Sequence, residues 1–494
     1  MRVHTVFRFC LASVAWLASA LGNIDASAAP APAGALAPCR ITGLSQEIRC
    51  GEVEVPETPD TTTGRRLKIQ FAVVPALAKN KAPDPVFVLA GGPGQAAMQI
   101  APLAMPLLAQ INTRRDIVFI DQRGTGKSNP LVCATDEKKP RLADSFDLQR
   151  QIERMGACLR SLDADPRQYA TWIAVRDLDA VRALLGAAQV NLWGASYGTR
   201  VGLEYLRQFP DRVRTAVFDG VAPPDMRLPA SFAVDGQAAL DRMIAGCAKD
   251  AACAARFPAF ATQVDALFKR FTSQPVPITL TDPLTGRSEQ MPFTRESMLA
   301  ALRTPLYAAQ LAVMLPYAVD RAANDDFTPL AAMIGSFGSN DSMKLAWGMH
   351  FAVICAEDMP RIDAADRAAA AATRFGTGFI ELYERACKQI AYQPAPAEFY
   401  ALPTANVPVL LLSGGADPAT PPRHAASVAK ALPNSRHLIA PNIGHGVSAQ
   451  GCAPEMLARF VRQASFEGVD GACLERLPAP PFFRPPTGPA GVDQ

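Results

Sequence analysis

Long runs of a single charge are missing from this chain. Its 494 residues carry a formal net charge of only +3. No extended basic segment stands out, so nothing points to a nucleic-acid partner. Also missing, beyond the N-terminus, is any apolar stretch of the ~20 residues needed to span a bilayer. No stable membrane insertion is therefore expected. Cysteines and histidines never cluster at zinc-like spacing, so no metal site is expected. Internal repeats are absent. Histidine is scarce, with His4, His350, His424, His437 and His445 the full set. Any chemistry that needs an imidazole base must draw on those five. What is present is a chain with 49% hydrophobic and 19% charged residues. That balance supports a sizeable packed core and excludes global disorder.

The N-terminus reads as a targeting segment. Arg2 and Arg8 precede the short apolar stretch "FCLASVAWLASALG", which ends in small residues. Cleavage is expected after Ala20 or Ala28, which predicts a secreted or periplasmic mature protein. Eleven cysteines fall to ten once Cys10 leaves with that segment. An even number in an exported chain is compatible with disulfides. Pairing of sequence neighbours would give Cys39–Cys50, Cys133–Cys158, Cys247–Cys253, Cys355–Cys387 and Cys452–Cys473.

Behind a Pro/Ala linker, "RLKIQFAVVPA" (66–76) alternates like a half-buried strand. "PVFVLAGGPGQ" (85–95) and "DIVFIDQRGTGKS" (116–128) are apolar runs that end in glycine-rich loops. Residues 174–186 have helical spacing, with Gly186 as the stop. "QVNLWG" is the next strand, 199–209 the next helix, and "RTAVFDGVAPP" (214–224) a further strand. Alternating strands and helices predict an α/β fold with a mostly parallel central sheet and helices on both faces. The pattern lapses after 221 and resumes with "VPVLLLSGGAD" (407–417) and "SRHLIAPNIGHG" (435–446). The expected organisation is a signal at 1–28, an extension at 29–64 and a first core segment at 65–221. An inserted helical lid follows at 222–345, then a second core segment at 346–475 and a Pro-rich tail at 476–494.

"NLWGASYGTRVGLEYL" (191–206) holds Ser196 in the pattern G-x-S-x-G, between a strand and a helix. A serine hydroxyl is a poor nucleophile near neutral pH. It needs a histidine base, an acid to orient that base, and N–H donors for an oxyanion. In a strand–turn–helix elbow the order is Ser, then Asp or Glu, then His. Asp417 and His445 each follow an apolar strand, at the carboxyl edge where parallel sheets bind ligands. Of the other histidines, His4 leaves with the leader, His437 starts a strand, and His424 and His350 fall on helices. Tyr197 and Gly92 are the expected oxyanion donors through their backbone N–H groups. No G-K-[ST] follows the "AGGPGQ" loop, so it is not a phosphate cradle. Asp121 and Arg123 are expected to brace it.

Together "GGPG", "DQRGTGKS", "GASYGT", "GGADPATPP" and "GHG" resemble the α/β-hydrolase exopeptidases, the proline iminopeptidase and tripeptidyl aminopeptidase family. The resemblance runs from about residue 65 to about 475. It implies an α/β-hydrolase fold with the nucleophile at Ser196, the acid at Asp417, the base at His445 and the oxyanion loop at Gly91 to Gly94. It implies no cofactor. Ala90 stands where proline iminopeptidases usually have His, which leans toward the exported tripeptidyl-aminopeptidase-like branch.

An aminopeptidase must recognise a free α-ammonium group, and a buried carboxylate near the nucleophile does so. Glu357 and then Asp358, in "FAVICAEDMP", are the candidates, matching a "C-x-E-D" segment of the family. Their alternative is a helix cap or a salt bridge. The expected function is an exported serine exopeptidase acting on peptides with a free amino end. An esterase or other small-molecule hydrolase with the same triad is the alternative.

Overall fold

Short runs of β-branched and aromatic residues build the centre of the molecule. In a computed structural model the strands are β1 (Ala37–Cys39), β2 (Ile48–Pro56), β3 (Arg66–Val74), β4 (Val86–Leu89), β5 (Ile117–Ile120), β6 (Val190–Ala195), β7 (Val213–Asp219), β8 (Val276–Thr281), β9 (Ser288–Phe293), β10 (Val409–Gly414) and β11 (Ser435–Ala440). The structure describes residues 36–132, 148–271, 275–281, 286–334 and 344–485. The expected leader, Cys133 of the Cys133–Cys158 pair and the end of the Pro-rich tail lie outside them.

Nine strands form one sheet in the order β1-β2-β3-β5-β4-β6-β7-β10-β11. From β5 to β11 every neighbour is parallel. The β1-β2-β3 edge is antiparallel and joins the rest through β5. The sequence pattern alone did not mark β2. Glu52 and Glu54 alternate with Val53 and Val55, but Cys50 and Gly51 break the pattern ahead of them and leave too short a run to read. In β4 and β5 every residue is buried, as expected for strands covered on both faces. Helices Thr171–Leu184 and Tyr197–Gln208 pack on one face. Helices Ala97–Asn112 and Ala453–Gln463 pack on the other.

The excursion between β7 and β10 has a hydrophobic core of its own, built from residues between Ala230 and Ile380. It is mainly helical, with an antiparallel β8–β9 hairpin that the helical pattern did not reveal. Its core reaches past residue 345, where the expected lid segment ends, because Ala370, Phe375 and Ile380 pack with the earlier helices of the excursion. Disulfides join Cys39–Cys50, Cys247–Cys253, Cys355–Cys387 and Cys452–Cys473. These are four of the five neighbour pairs. Among the described residues no helix is long and apolar enough to cross a membrane.

Candidate active site

β6 runs straight into helix Tyr197–Gln208, and Ser196 is the one residue between them. It sits at φ 56°, ψ −126°. A non-glycine residue held there stores about 1–3 kcal/mol of strain, which surrounding contacts must offset. One such contact is the Ser196 N–H donating to the Asp219 carbonyl at 2.9 Å. The turn is possible only because Gly198 lacks a side chain, since a Cβ there would collide with the Leu89 carbonyl. Ser196 precedes the helix but its side chain does not cap it. A serine kept merely as a corner residue would be expected to make that bond.

The glycine-rich loop after β4 lies against this turn. A Cβ at Gly91 would come within 3.3 Å of the Ser196 Cβ. Gly91 is thus the loop residue in touch with the candidate nucleophile, and Gly92 is its neighbour. Asp121 supports the loop's exit as expected. Its carboxylate accepts the N–H of Met98 at 2.9 Å and of Lys127 at 3.2 Å. Arg123 does not. It is buried and pairs with Asp177 at 2.6 Å, and it donates to the carbonyls of Glu57 and Gln168. It braces the helix on the far side of the sheet, because its own strand end points it away from the loop.

Asp417 follows β10 and His445 follows β11. His445 Nδ1 lies 2.7 Å from Asp417 Oδ2. Asp417 also accepts the N–H groups of Ala419 and Thr420 at 2.8 and 2.9 Å, and the Thr420 hydroxyl at 2.8 Å. Burial would raise the Asp417 carboxyl, but His445 and these bonds outweigh it and hold it below the usual carboxylate range. Burial would lower the His445 imidazole. Asp417 and then Asp219 outweigh that, and Arg303 opposes them, so the imidazole sits above its ordinary value.

Asp219 was not foreseen. It ends β7, is 3% exposed, and accepts the N–H of Val447 at 2.8 Å and of Ser448 at 2.6 Å. Its own carbonyl holds Ser196. One residue therefore clips the nucleophile turn to the loop that carries His445. The next residue, Gly220, abuts the imidazole: a Cβ there would lie 3.1 Å from His445 Cε1. The available signal was an acidic residue ending an apolar strand, "RTAVFDG", the same placement that marked Asp417.

Tyr197 is buried. Its hydroxyl pairs with Thr171 Oγ1 at 2.7 Å and accepts from Gln122 at 3.0 Å. Glu357 and Asp358 are both 0% exposed. Arg200 Nη1 donates to Asp358 at 2.8 Å and to Glu357 at 3.3 Å, and Nη2 donates to Asp358 at 3.1 Å. Glu357 also accepts the Thr171 N–H at 2.7 Å, and Asp358 that of Leu228 at 3.1 Å. Burial pushes the Glu357 carboxyl up to about 7, against the pull of Arg200. The fold contains the salt bridge that the sequence offered as the alternative, with both carboxylates buried against Arg200. Arg200, on the first turn of the helix that follows the nucleophile, was the missed partner.

His350, set aside on sequence grounds, also lies near the loop. Its Nδ1 is 3.1 Å from the Pro93 carbonyl and its Nε2 is 2.8 Å from the Tyr383 hydroxyl. Burial pushes its imidazole down to about 4. His424 pairs with Asp235 at 3.0 Å, and His437 with Ser413 at 3.0 Å. His445 is the histidine that pairs with Asp417 and whose loop Asp219 ties to the nucleophile turn.

Comparison with known proteins agrees with this architecture. Residues 84–255 match the family described as alpha/beta hydrolase fold, and residues 372–473 match that described as TAP-like protein. The chain is 30% identical to serine protease Hip1 of Mycobacterium tuberculosis over 44% of this chain and 45% of that protein. It is also 30% identical to tripeptidyl aminopeptidase of Streptomyces coelicolor, over 37% of this chain and 36% of the relative. The chain thus spans under half the length of the curated relatives it matches. A crystal structure of proline iminopeptidase from Mycobacterium smegmatis aligns over 85% of this chain and 100% of that one, at 18% identity and a TM-score of 0.36.

Proposed function

We propose that this chain, whose residues 84–255 match the alpha/beta hydrolase fold family and 372–473 the TAP-like protein family, is an exported serine hydrolase of the exopeptidase type, releasing residues or short peptides from the free amino end of peptide substrates. The observation that carries the reading is the strained Ser196 turn, joined through Asp219 to the loop of an Asp417-paired His445. Nδ1 is engaged by Asp417, so Nε2 is the base. It takes the Ser196 proton as Oγ attacks the scissile carbonyl. The N–H groups of Tyr197 and Gly92 stabilise the oxyanion, and the Tyr197 N–H has the further advantage of opening a helix N-terminus. The C–N bond breaks as His445 returns the proton to the leaving amine. Water then hydrolyses the acyl-enzyme by the same route.

Peptide substrates are supported by the names of the relatives, serine protease and tripeptidyl aminopeptidase. Export is supported by the four disulfides, which suit an oxidising compartment. One observation favours the second reading, an esterase or other small-molecule hydrolase. Arg200 already pairs with both Glu357 and Asp358, the residues expected to hold an ammonium group.

A panel of aminoacyl, dipeptidyl, tripeptidyl and N-blocked chromogenic substrates, with simple esters, separates the two. Free-amine peptides should be cleaved best, and Ser196→Ala should lower kcat by at least ~10³-fold. Full activity in Ser196→Ala would sink the mechanism. Preference for blocked substrates or esters would select the second reading.

A further inference from the structure

One cation near the candidate base has no carboxylate partner. Arg303 ends the lid helix Arg295–Arg303 and is 8% exposed. Among the described residues no acidic side chain pairs with it. Its guanidinium lies over the Phe232 ring, 4.1 Å from the centroid, and faces the Tyr307 ring at 5.1 Å. Nη1 donates to the Tyr307 hydroxyl at 3.0 Å, and Nη2 to the Pro418 carbonyl at 3.3 Å. Pro418 is the residue after Asp417. Tyr307, in the turn Thr304–Tyr307, reaches the base itself. Its carbonyl accepts the His445 N–H at 2.7 Å, and its ring meets the imidazole edge-on at 5.2 Å. An unbroken chain of contacts therefore runs from the acid loop through Arg303 and Tyr307 to the base loop.

Burying a guanidinium without a counter-ion is unfavourable, and aromatic faces and carbonyls offset only part of it. A salt bridge would have stabilised the lid more simply. We propose that Arg303 and Tyr307 are positioning residues for the Asp417–His445 pair, so that the lid is a working part of the catalytic centre and not a removable cover. The proposal rests on the serine-hydrolase reading above. Tyr307 holds the main chain of the base loop from the lid side, as Asp219 holds it from the sheet side. Arg303 locks Tyr307 to the acid loop. It also places a positive charge where it opposes protonation of His445, against Asp417 and Asp219. The remaining groups against the imidazole, the Thr420 hydroxyl and the Tyr307 ring, are uncharged.

The test uses the full chain with p-nitrophenyl acetate as substrate and a fluorophosphonate as the active-serine label. Arg303→Met removes the charge and keeps the apolar stem. Removing a nearby cation lets His445 hold its proton to higher pH, and a base must be neutral to act. The acid limb of kcat/KM should therefore move up by about half a pH unit or more, and kcat should fall about tenfold. Arg303→Lys keeps the charge and loses the fork, so kcat should fall while the limb stays in place. Tyr307→Phe removes the hydroxyl that accepts from Arg303, and kcat should fall severalfold. A folded Arg303→Met protein whose limb and kcat both match wild type would overturn the proposal. If Arg303→Met does not fold, unchanged kcat in both Arg303→Lys and Tyr307→Phe overturns it equally. Failure of wild type to label on Ser196 would instead overturn the catalytic reading beneath it.

Discussion

At the scale of single residues, the site depends on groups that never touch a substrate. Asp219 takes two N–H groups of the His445 loop with its carboxylate and one from Ser196 with its carbonyl. In Asp219→Asn the amide NH₂ would face an N–H donor. A buried donor left unpaired costs ~1–3 kcal/mol, and a displaced base can cost up to ~10²-fold in rate. We expect kcat to drop ~10–100-fold with KM little changed, as read by steady-state kinetics on the tripeptide substrate. An equal loss through KM would argue against a positioning role. The wild-type acid limb follows from the same environment. Since the His445 imidazole is raised above 6.5, the neutral base should be lost as pH falls from above that value, and kcat/KM with it.

The Arg200 cluster gives a second residue-scale expectation. Asp358 takes both guanidinium nitrogens and Glu357 takes one, at the longer distance. Removing one partner of a buried pair typically costs ~3–5 kcal/mol, so Asp358→Asn should be strongly destabilised in urea melts. Glu357→Gln should be milder. The raised Glu357 carboxyl ionises less readily folded than unfolded, so in wild type it subtracts stability as pH rises from 4.5 toward about 7. The neutral amide should remove that pH dependence. Equal losses for the two variants would reverse this ranking.

At the scale of elements, helices Trp347–Glu357 and Gly378–Cys387 act as a pair. They carry His350 and Tyr383, which meet at 2.8 Å, and the Cys355–Cys387 disulfide joins them. That bridge closes a loop of sequence separation 32. Loop-closure entropy suggests a contribution of roughly 3–4 kcal/mol. Replacing both cysteines by serine should lower the urea midpoint accordingly and loosen His350 from the Pro93 carbonyl. An unchanged midpoint would show that helix packing alone holds the pair. The sequence placed His350 on a helix, as found, but the extent of that helix was hard to see. "FAVICA" (351–356) is apolar all round, so it shows no stripe from which a helix could be told apart from a strand. The parallel strands were easy, because an apolar run ending at glycine is a local signal.

At the scale of the whole molecule, the core is a mostly parallel sheet with the candidate site at its carboxyl edge, and a mainly helical excursion with its own core is inserted between β7 and β10. The sequence by itself determined the order of chemistry along the chain: Ser196 in a glycine-flanked turn, then Asp417, then His445, each at a strand end. It could do so because strand, turn and loop are written within about ten residues of each other, in patterns that backbone sterics enforce. Only the tertiary structure decided which groups stay free for chemistry. Arg200 claims Asp358 across 158 residues, Asp219 holds Val447 across 228, and Arg303 reaches Pro418 across 115. Adjacent carboxylates look alike in a sequence whether they face a substrate or a buried guanidinium. The difference lies in packing geometry between distant segments, which no local pattern encodes.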